Sequence, residues 1–112
     1  MTSEEMRDNL LNILADKKTD SVETLAVSDK TVLADYFIIV TVRNNLQVRS
    51  IADILEEKTK GVPGMEIVHR DGEHVSGWVV LDFGGVMVHV FSFDKKEYYS
   101  LDKFWKNEKK EG

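Results

Sequence analysis

Apolar residues recur along this chain in two rhythms, one helical and one extended. Met6, Leu10, Ile13 and Leu14 stand at i, i+4, i+7 and i+8, which predicts an amphipathic helix over Thr2 to about Lys18. Thr2 with Glu5 three residues on reads as a capping box, and Glu4 and Glu5 suit the positive helix start. Val48, Ile51, Ala52 and Leu55 predict a second helix, capped by Asn44 or Asn45, ending near Gly61 and stopped by Pro63-Gly64. The extended rhythm appears at Val22 to Val27, where Val22, Leu25 and Val27 alternate with polar neighbours. It continues at Tyr36 to Val42, a nearly unbroken aromatic and β-branched run that suits a strand buried on both faces. Ser28 to Ala34 reads as a connection with room for one helical turn. Met65 to Arg70 is a further strand candidate, Asp71-Gly72 a turn, and the polar segment to Gly77 a loop. Ser100 offers a cap for a short terminal helix with Leu101, Phe104 and Trp105 inward, before a charged, fraying tail at 106–112.

The strongest signal is Trp78 to Phe91, two β-rich runs around Gly84-Gly85. A two-residue glycine loop pairs Phe83 with Val86, Asp82 with Met87, Leu81 with Val88, Val80 with His89, Val79 with Val90 and Trp78 with Phe91. One face of the hairpin is then plain core: Val79, Leu81, Phe83, Val86, Val88 and Val90. The other carries Trp78, Val80, Asp82, Met87, His89 and Phe91, large rings mixed with an acid and an imidazole. A simple core has no need of that mixture.

The elements predict an α/β (α+β) fold, a mixed sheet of about five strands with flanking helices, as a single domain over 1–112. The strand-helix-strand unit from Tyr36 to Arg70 predicts a right-handed crossover with parallel pairing.

Composition narrows the function classes. With 112 residues, 42% hydrophobic and 31% charged, the chain is sized for one modest globular core. A net charge of -5 argues against a sequence-independent grip on phosphates, and no sequence-specific nucleic-acid contact is expected either. With no cysteine there is no disulfide, thiolate metal site or thiol nucleophile. The N-terminal residues carry no secretory apolar region and no run reaches the roughly 20 residues of a membrane span, so a cytoplasmic protein without a membrane partner is expected.

Candidate chemistry is sparse. Asp82-Phe83-Gly84 spells the kinase metal-binding tripeptide, but the glycine-rich loop and catalytic loop of a kinase are missing. A nucleotide-binding or nucleotidyltransferase-type enzyme is the alternative reading for a small mixed-sheet domain. Its two-metal chemistry needs paired carboxylates near a glycine-serine turn, and the hairpin offers Asp82 alone. His69, His74 and His89 have no recognised ligand spacing, so neither a metal nor a cofactor is expected. Ser76, Ser92 and Ser100 sit in no triad-like context. Aromatic rings with a few charged neighbours are, by contrast, the usual anchors of protein interfaces. Each ring offers about 150–250 Å² toward the roughly 800 Å² a partner contributes to a standard interface. The residues favour a binding module over an enzyme.

Three motifs then carry a family resemblance. Ala34-Asp35-Tyr36-Phe37-Ile38-Ile39-Val40-Thr41, followed by Gln47-Val48-Arg49-Ser50-Ile51-Ala52-Asp53, resembles the first signature of the Iojap family of ribosomal silencing factors. Trp78-Val79-Val80-Leu81-Asp82-Phe83-Gly84 with Val88-His89-Val90-Phe91 resembles the second, and Glu97-Tyr98-Tyr99-Ser100-Leu101 with Trp105 the third. The resemblance implies a nucleotidyltransferase-like fold without catalysis and a translational repressor, with homodimerisation through the same face as a further option. It implies binding to the large ribosomal subunit through its interface protein, the fourteenth of the L series, which blocks the small subunit sterically. It also implies a contact surface of Trp78, Asp82, Phe83, His89, Phe91, Tyr98 and Tyr99. The chain departs from the family's Gly-x-Ser after Thr41, reading Val42-Arg43-Asn44-Asn45. It departs again from Tyr-Gly-Asp after Asp82, reading Phe83-Gly84-Gly85.

Overall fold

The capping box at the N-terminus forms in the computed structural model. Thr2 Oγ1 accepts from the Glu5 amide at 3.1 Å, and Glu5 Oε1 accepts from the Thr2 amide at 2.9 Å. Helix α1 follows over Ser3–Ala15 and buries Met6, Leu10 and Leu14, with Ile13 packed beside them. Asn44 caps α2, Asn45–Thr59, through its side-chain oxygen on the Gln47 amide at 3.0 Å. The apolar stripe of α2 buries Val48, Ile51, Ala52 and Leu55. The structure describes residues 1–92, so the terminal helix expected from Ser100, the tail from Lys106 and the pair Tyr98-Tyr99 lie outside the described residues.

Among the described residues, five strands form one sheet: β1 (Ser21–Ala26), β2 (Tyr36–Val42), β3 (His69–Glu73), β4 (Trp78–Asp82) and β5 (Val86–Ser92), in the order β1-β2-β5-β4-β3. Only β2 and β5 pair in parallel; the other three ladders are antiparallel. Both helices lie on one face. Their stripes meet Ile38, Val40 and Val42 of β2, Val79 and Leu81 of β4, and Val86, Val88 and Val90 of β5. The opposite face holds a smaller cluster of Val27, Ala34, Phe37, Ile39 and Phe91, with Leu25, Trp78 and Met87 packed against it.

The hairpin has the register its glycines predict, from Trp78 opposite Phe91 to Asp82 opposite Met87. The Phe83 amide donates to the Val86 carbonyl at 2.9 Å and closes a two-residue turn. Gly84 has φ +95° and Gly85 has none of the positive-φ character, so only the first loop position needs a glycine backbone, as in a II′ turn. Gly85 serves a different constraint. An added Cβ there would run into Ser3 Oγ, whose hydroxyl donates to Asp35 Oδ2 at 2.7 Å. The Gly85 carbonyl accepts from the Asp35 and Tyr36 amides, so the hairpin tip, the start of α1 and the entry to β2 are tied together.

Three expectations need correction. The strand proposed at Met65–Arg70 instead runs His69–Glu73, and Asp71-Gly72 lies inside it rather than in a turn. The segment to Gly77 is not all loop, because it holds the end of β3 and a 3-10 turn over His74–Ser76. An edge strand without a core-facing alternation carries no periodic signal, and β3 is held instead by its ladder to β4 and by Arg70. That side chain reaches Glu56 at 2.9 Å and Asp53 at 3.6 Å on α2. Second, β2 and β3 run in the same direction but are not neighbours, because β5 and β4 lie between them. Third, Val22 and Leu25 of β1 face opposite sides, Val22 packing on the main core and Leu25 on the smaller cluster. Val27 follows β1 and the connection from Ser28 forms turns, with Lys30 and Thr31 amides on the Val27 carbonyl.

Gly72 makes the β3 pairing testable. It sits opposite Val79 with φ +83°, and an added Cβ would strike the Trp78 carbonyl. Gly72→Ala therefore combines left-handed strain with a backbone clash and is expected to destabilise the fold by about 2 kcal/mol or more. Urea denaturation checks this, and a midpoint unchanged from the native chain would contradict the placement.

Candidate functional site

Alternation along the sheet sorts the candidate residues. Trp78, Val80 and Asp82 of β4 share the face opposite α1 and α2 with Met87, His89 and Phe91 of β5. Phe37, Ile39 and Thr41 of β2 extend that face, since they pair in register with Met87, His89 and Phe91. On β3, His69, Asp71 and Glu73 stand opposite Asp82, Val80 and Trp78, and on β1 Glu23 stands opposite Ile39. The face thus has an aromatic centre, with Asp71, Glu73 and Asp82 on one side and Glu23 on the other.

The centre is a stack. The Trp78 ring lies 5.3 Å from Phe91 at 12° and 6.4 Å from His89 at 18°, while His89 lies 6.2 Å from Phe91 at 8°. Phe37 meets the imidazole at 4.7 Å with a tilt of 57°. Offset and tilted ring pairs at these separations are favourable beyond the area they bury. Phe91 is buried and His89 is 6% exposed, whereas Trp78, Val80, Asp82 and Met87 are half-buried. Phe91 and His89 are therefore a platform that positions Trp78, rather than surface groups.

Asp82 has a second task. Its Oδ1 accepts from the Gly84 amide at 2.8 Å, which fixes the turn and leaves the other carboxylate oxygen available. Phe83 does not belong to this face. It is 3% exposed and lies in the main core under the helices, because one residue beyond Asp82 the side chain points the other way. Of the seven residues named from the resemblance, the structure gathers Trp78, Asp82, His89 and Phe91, separates Phe83, and leaves Tyr98 and Tyr99 outside the described residues.

Residues that the sequence pattern did not single out complete the site. Phe37 joins it through the parallel β2–β5 register, which no local signal announces. Asp71 and Glu73 join it because β3 is a strand and not a turn.

Away from this face, the polar groups around the start of α2 are engaged with one another. Among the described residues no group of three His, Asp or Glu side chains could hold a metal ion. At the start of α2, Asn44 caps the Gln47 amide and Gln47 Oε1 accepts from the Arg43 amide at 2.8 Å. The Val42-Arg43-Asn44-Asn45 segment is thus taken up by capping, and Asn45 Nδ2 donates to the Val75 carbonyl at 3.1 Å. A polar cleft of about 550 Å³ is lined by Arg49, Asp53, Arg70, Gly72, Glu73 and His74. Both of its arginines are engaged by carboxylates of α2. No described helix is long and apolar enough to cross a membrane.

Known proteins resemble this chain over most of its length. A family model described as "Ribosomal silencing factor during starvation" matches residues 1–112. A Halalkalibacterium halodurans protein named Ribosomal silencing factor RsfS is 35% identical over 105 residues, covering 94% of this chain and 89% of its own length. A Bacillus subtilis protein of the same name is 32% identical over 90 residues, covering 80% and 75%. The crystal structure of a Chromobacterium violaceum protein superimposes with a TM-score of 0.86 at 30% identity, covering 95% of this chain and 88% of that one.

The burial of His89 predicts a pH dependence. Neither ring nitrogen has a hydrogen-bond partner among the described residues, and burial pushes the imidazole down from its ordinary value to about 4. As pH falls below about 6.5 the unfolded chain takes up the proton while the folded chain stays neutral. The stability is full above that point and falls by about 1.4 kcal/mol per pH unit toward pH 4. Urea unfolding of the native chain and of His89→Leu between pH 7.5 and 4.5 isolates the effect. Their stability difference should slope through that window, and a flat difference would contradict the assignment.

Proposed function

Because the chain belongs to the family of ribosomal silencing factors, we propose that it represses translation by docking the sheet face opposite α1 and α2 on the large ribosomal subunit. The contact is with the subunit's interface protein, the fourteenth of the L series, and the small subunit is then excluded by steric overlap. The protein acts as a binding module of one domain over residues 1–112, without catalysis, cofactor or metal. Its working place is the cytoplasm, where large subunits are met before they join.

The observation that carries this reading is the half-buried Trp78, held by the Phe91 and His89 rings and flanked by acids. An indole on a rigid support is ordered before binding, so little rotamer freedom is lost on contact. Asp71, Glu73 and Asp82 beside it, on a chain of net charge -5, suit a basic protein surface and speed the encounter with one. Tyr98 and Tyr99 extend the contact in this proposal. Phe83 contributes by filling the core beneath the hairpin. A homodimer through the same face would compete with the ribosome for Trp78.

Trp78→Ala should weaken binding to purified large subunits by roughly 2 kcal/mol or more, about thirtyfold, as expected for a central interface anchor. Cosedimentation of a variant that unfolds cooperatively checks this. Cosedimentation equal to that of the native protein would overturn the reading.

A further inference from the structure

Between β1 and β2 the chain builds a short projection that the aromatic face does not account for. Its base is fastened at both sides. The Val27 amide donates to the Asp35 carbonyl at 2.9 Å, and the Lys30 and Thr31 amides donate to the Val27 carbonyl at 2.8 and 3.0 Å. Leu33 N–H donates to Thr31 Oγ1 at 3.1 Å. Val27 and Ala34 are buried in the cluster on the face opposite α1 and α2, with Phe37 and Phe91. The two residues at the tip point outward instead: Val32 is 103% exposed and Leu33 65%. Val32 is the most exposed large apolar side chain among the described residues. Single exposed aliphatic groups are ordinary on a protein surface; here two stand side by side on a hydrogen-bonded loop.

The position of the tip matters. Asp35 and Tyr36 amides both donate to the Gly85 carbonyl, and Ser3 bonds Asp35, so the projection and the β4–β5 turn form one end of the molecule. That end continues the face of Trp78 and Met87 through Ala34 and Phe37. Asp29, Lys30 and Asp35 flank the two aliphatic residues and Asp82 stands at the neighbouring turn, so the tip's surroundings carry more acid than base.

We infer that Val32 and Leu33 form a second anchor of the docking face, entering an apolar recess bordered by Lys or Arg on the protein that receives Trp78. The inference rests on the function proposed above. It adds a contact at the far end of the face from Trp78, so that both ends of β5 are held. Specificity follows from the two-point spacing, because a surface that accepts only an indole would leave the aliphatic pair in water. A basic border is required by the acids around the tip, which like charges would repel.

The test uses full-length protein and purified large ribosomal subunits, with a Val32→Ser/Leu33→Ser double variant compared with Trp78→Ala. Both side chains are exposed, so the double variant should keep the native unfolding midpoint. Its binding should weaken at least tenfold, and Val32→Ile/Leu33→Met should restore it. Binding within twofold of native by the double variant, while Trp78→Ala loses affinity, overturns the second anchor and leaves the proposed function standing. Native binding by both variants overturns the proposed function and the anchor with it. If the double variant only changes self-association in sedimentation and binds subunits normally, the tip serves a second copy of this chain and the inference is wrong.

Discussion

The parallel pairing of β2 with β5 is the constraint on which the molecule depends. Tyr36 to Val42 lie beside Val86 to Ser92 in the middle of the sheet, and successive side chains there must point to opposite sides. Ile38, Val40, Val86, Val88 and Val90 are sent toward the helices, and Phe37, Ile39, Met87, His89 and Phe91 are sent away from them. A slip of one residue would exchange the two sets, placing His89 under α2 and a valine row on the other face. The valine row has a shape that helices cover well. The aromatic row has a different use.

The main core and the proposed docking surface therefore lie on the two sides of one sheet. The main core, with both helices and the apolar stripes of β2, β4 and β5, holds the fold. The other side carries its polar cost openly: a buried imidazole without a hydrogen-bond partner and a Thr41 hydroxyl in the same state among the described residues. Buried polar groups left unpaired are uncommon in native sheets and cost stability. The place of His89 beside Trp78 gives the face a ring-lined support, and the acids of β3 and β4 give it a charge. The hairpin tip joins the two sides, because Gly85 has no side chain where Ser3 of α1 presses against it.

Much of this was legible in the residues. Gly84-Gly85 set the β4–β5 register correctly, and the Thr2 and Asn44 caps begin the helices where the side chains predict. The unequal faces of the hairpin were legible for the same reason, since a two-residue turn leaves one register. What could not be read depended on contacts between distant segments. His69–Glu73 has no alternation because an edge strand exposed on both sides needs none, and its Gly72 looks like a turn residue until the ladder to β4 is seen. The insertion of β5 and β4 between β2 and β3 is a matter of topology, not of local pattern. Phe83 was carried into the contact surface by motif likeness, although the hairpin pairing already assigned it to the core side. The tip at Val32 and Leu33 has no sequence signature at all, because its exposure is set by the loop's hydrogen bonds.

The central claim is that a rigid sheet face occupies the large subunit where the small one must join. The direct measurement is a sucrose-gradient assay of subunit joining, with the protein added to purified large subunits before small subunits are supplied. The account predicts fewer joined ribosomes as protein is added, with the protein migrating on free large subunits and Trp78→Ala restoring joining. Undiminished joining, or protein migrating on intact two-subunit ribosomes, would contradict it.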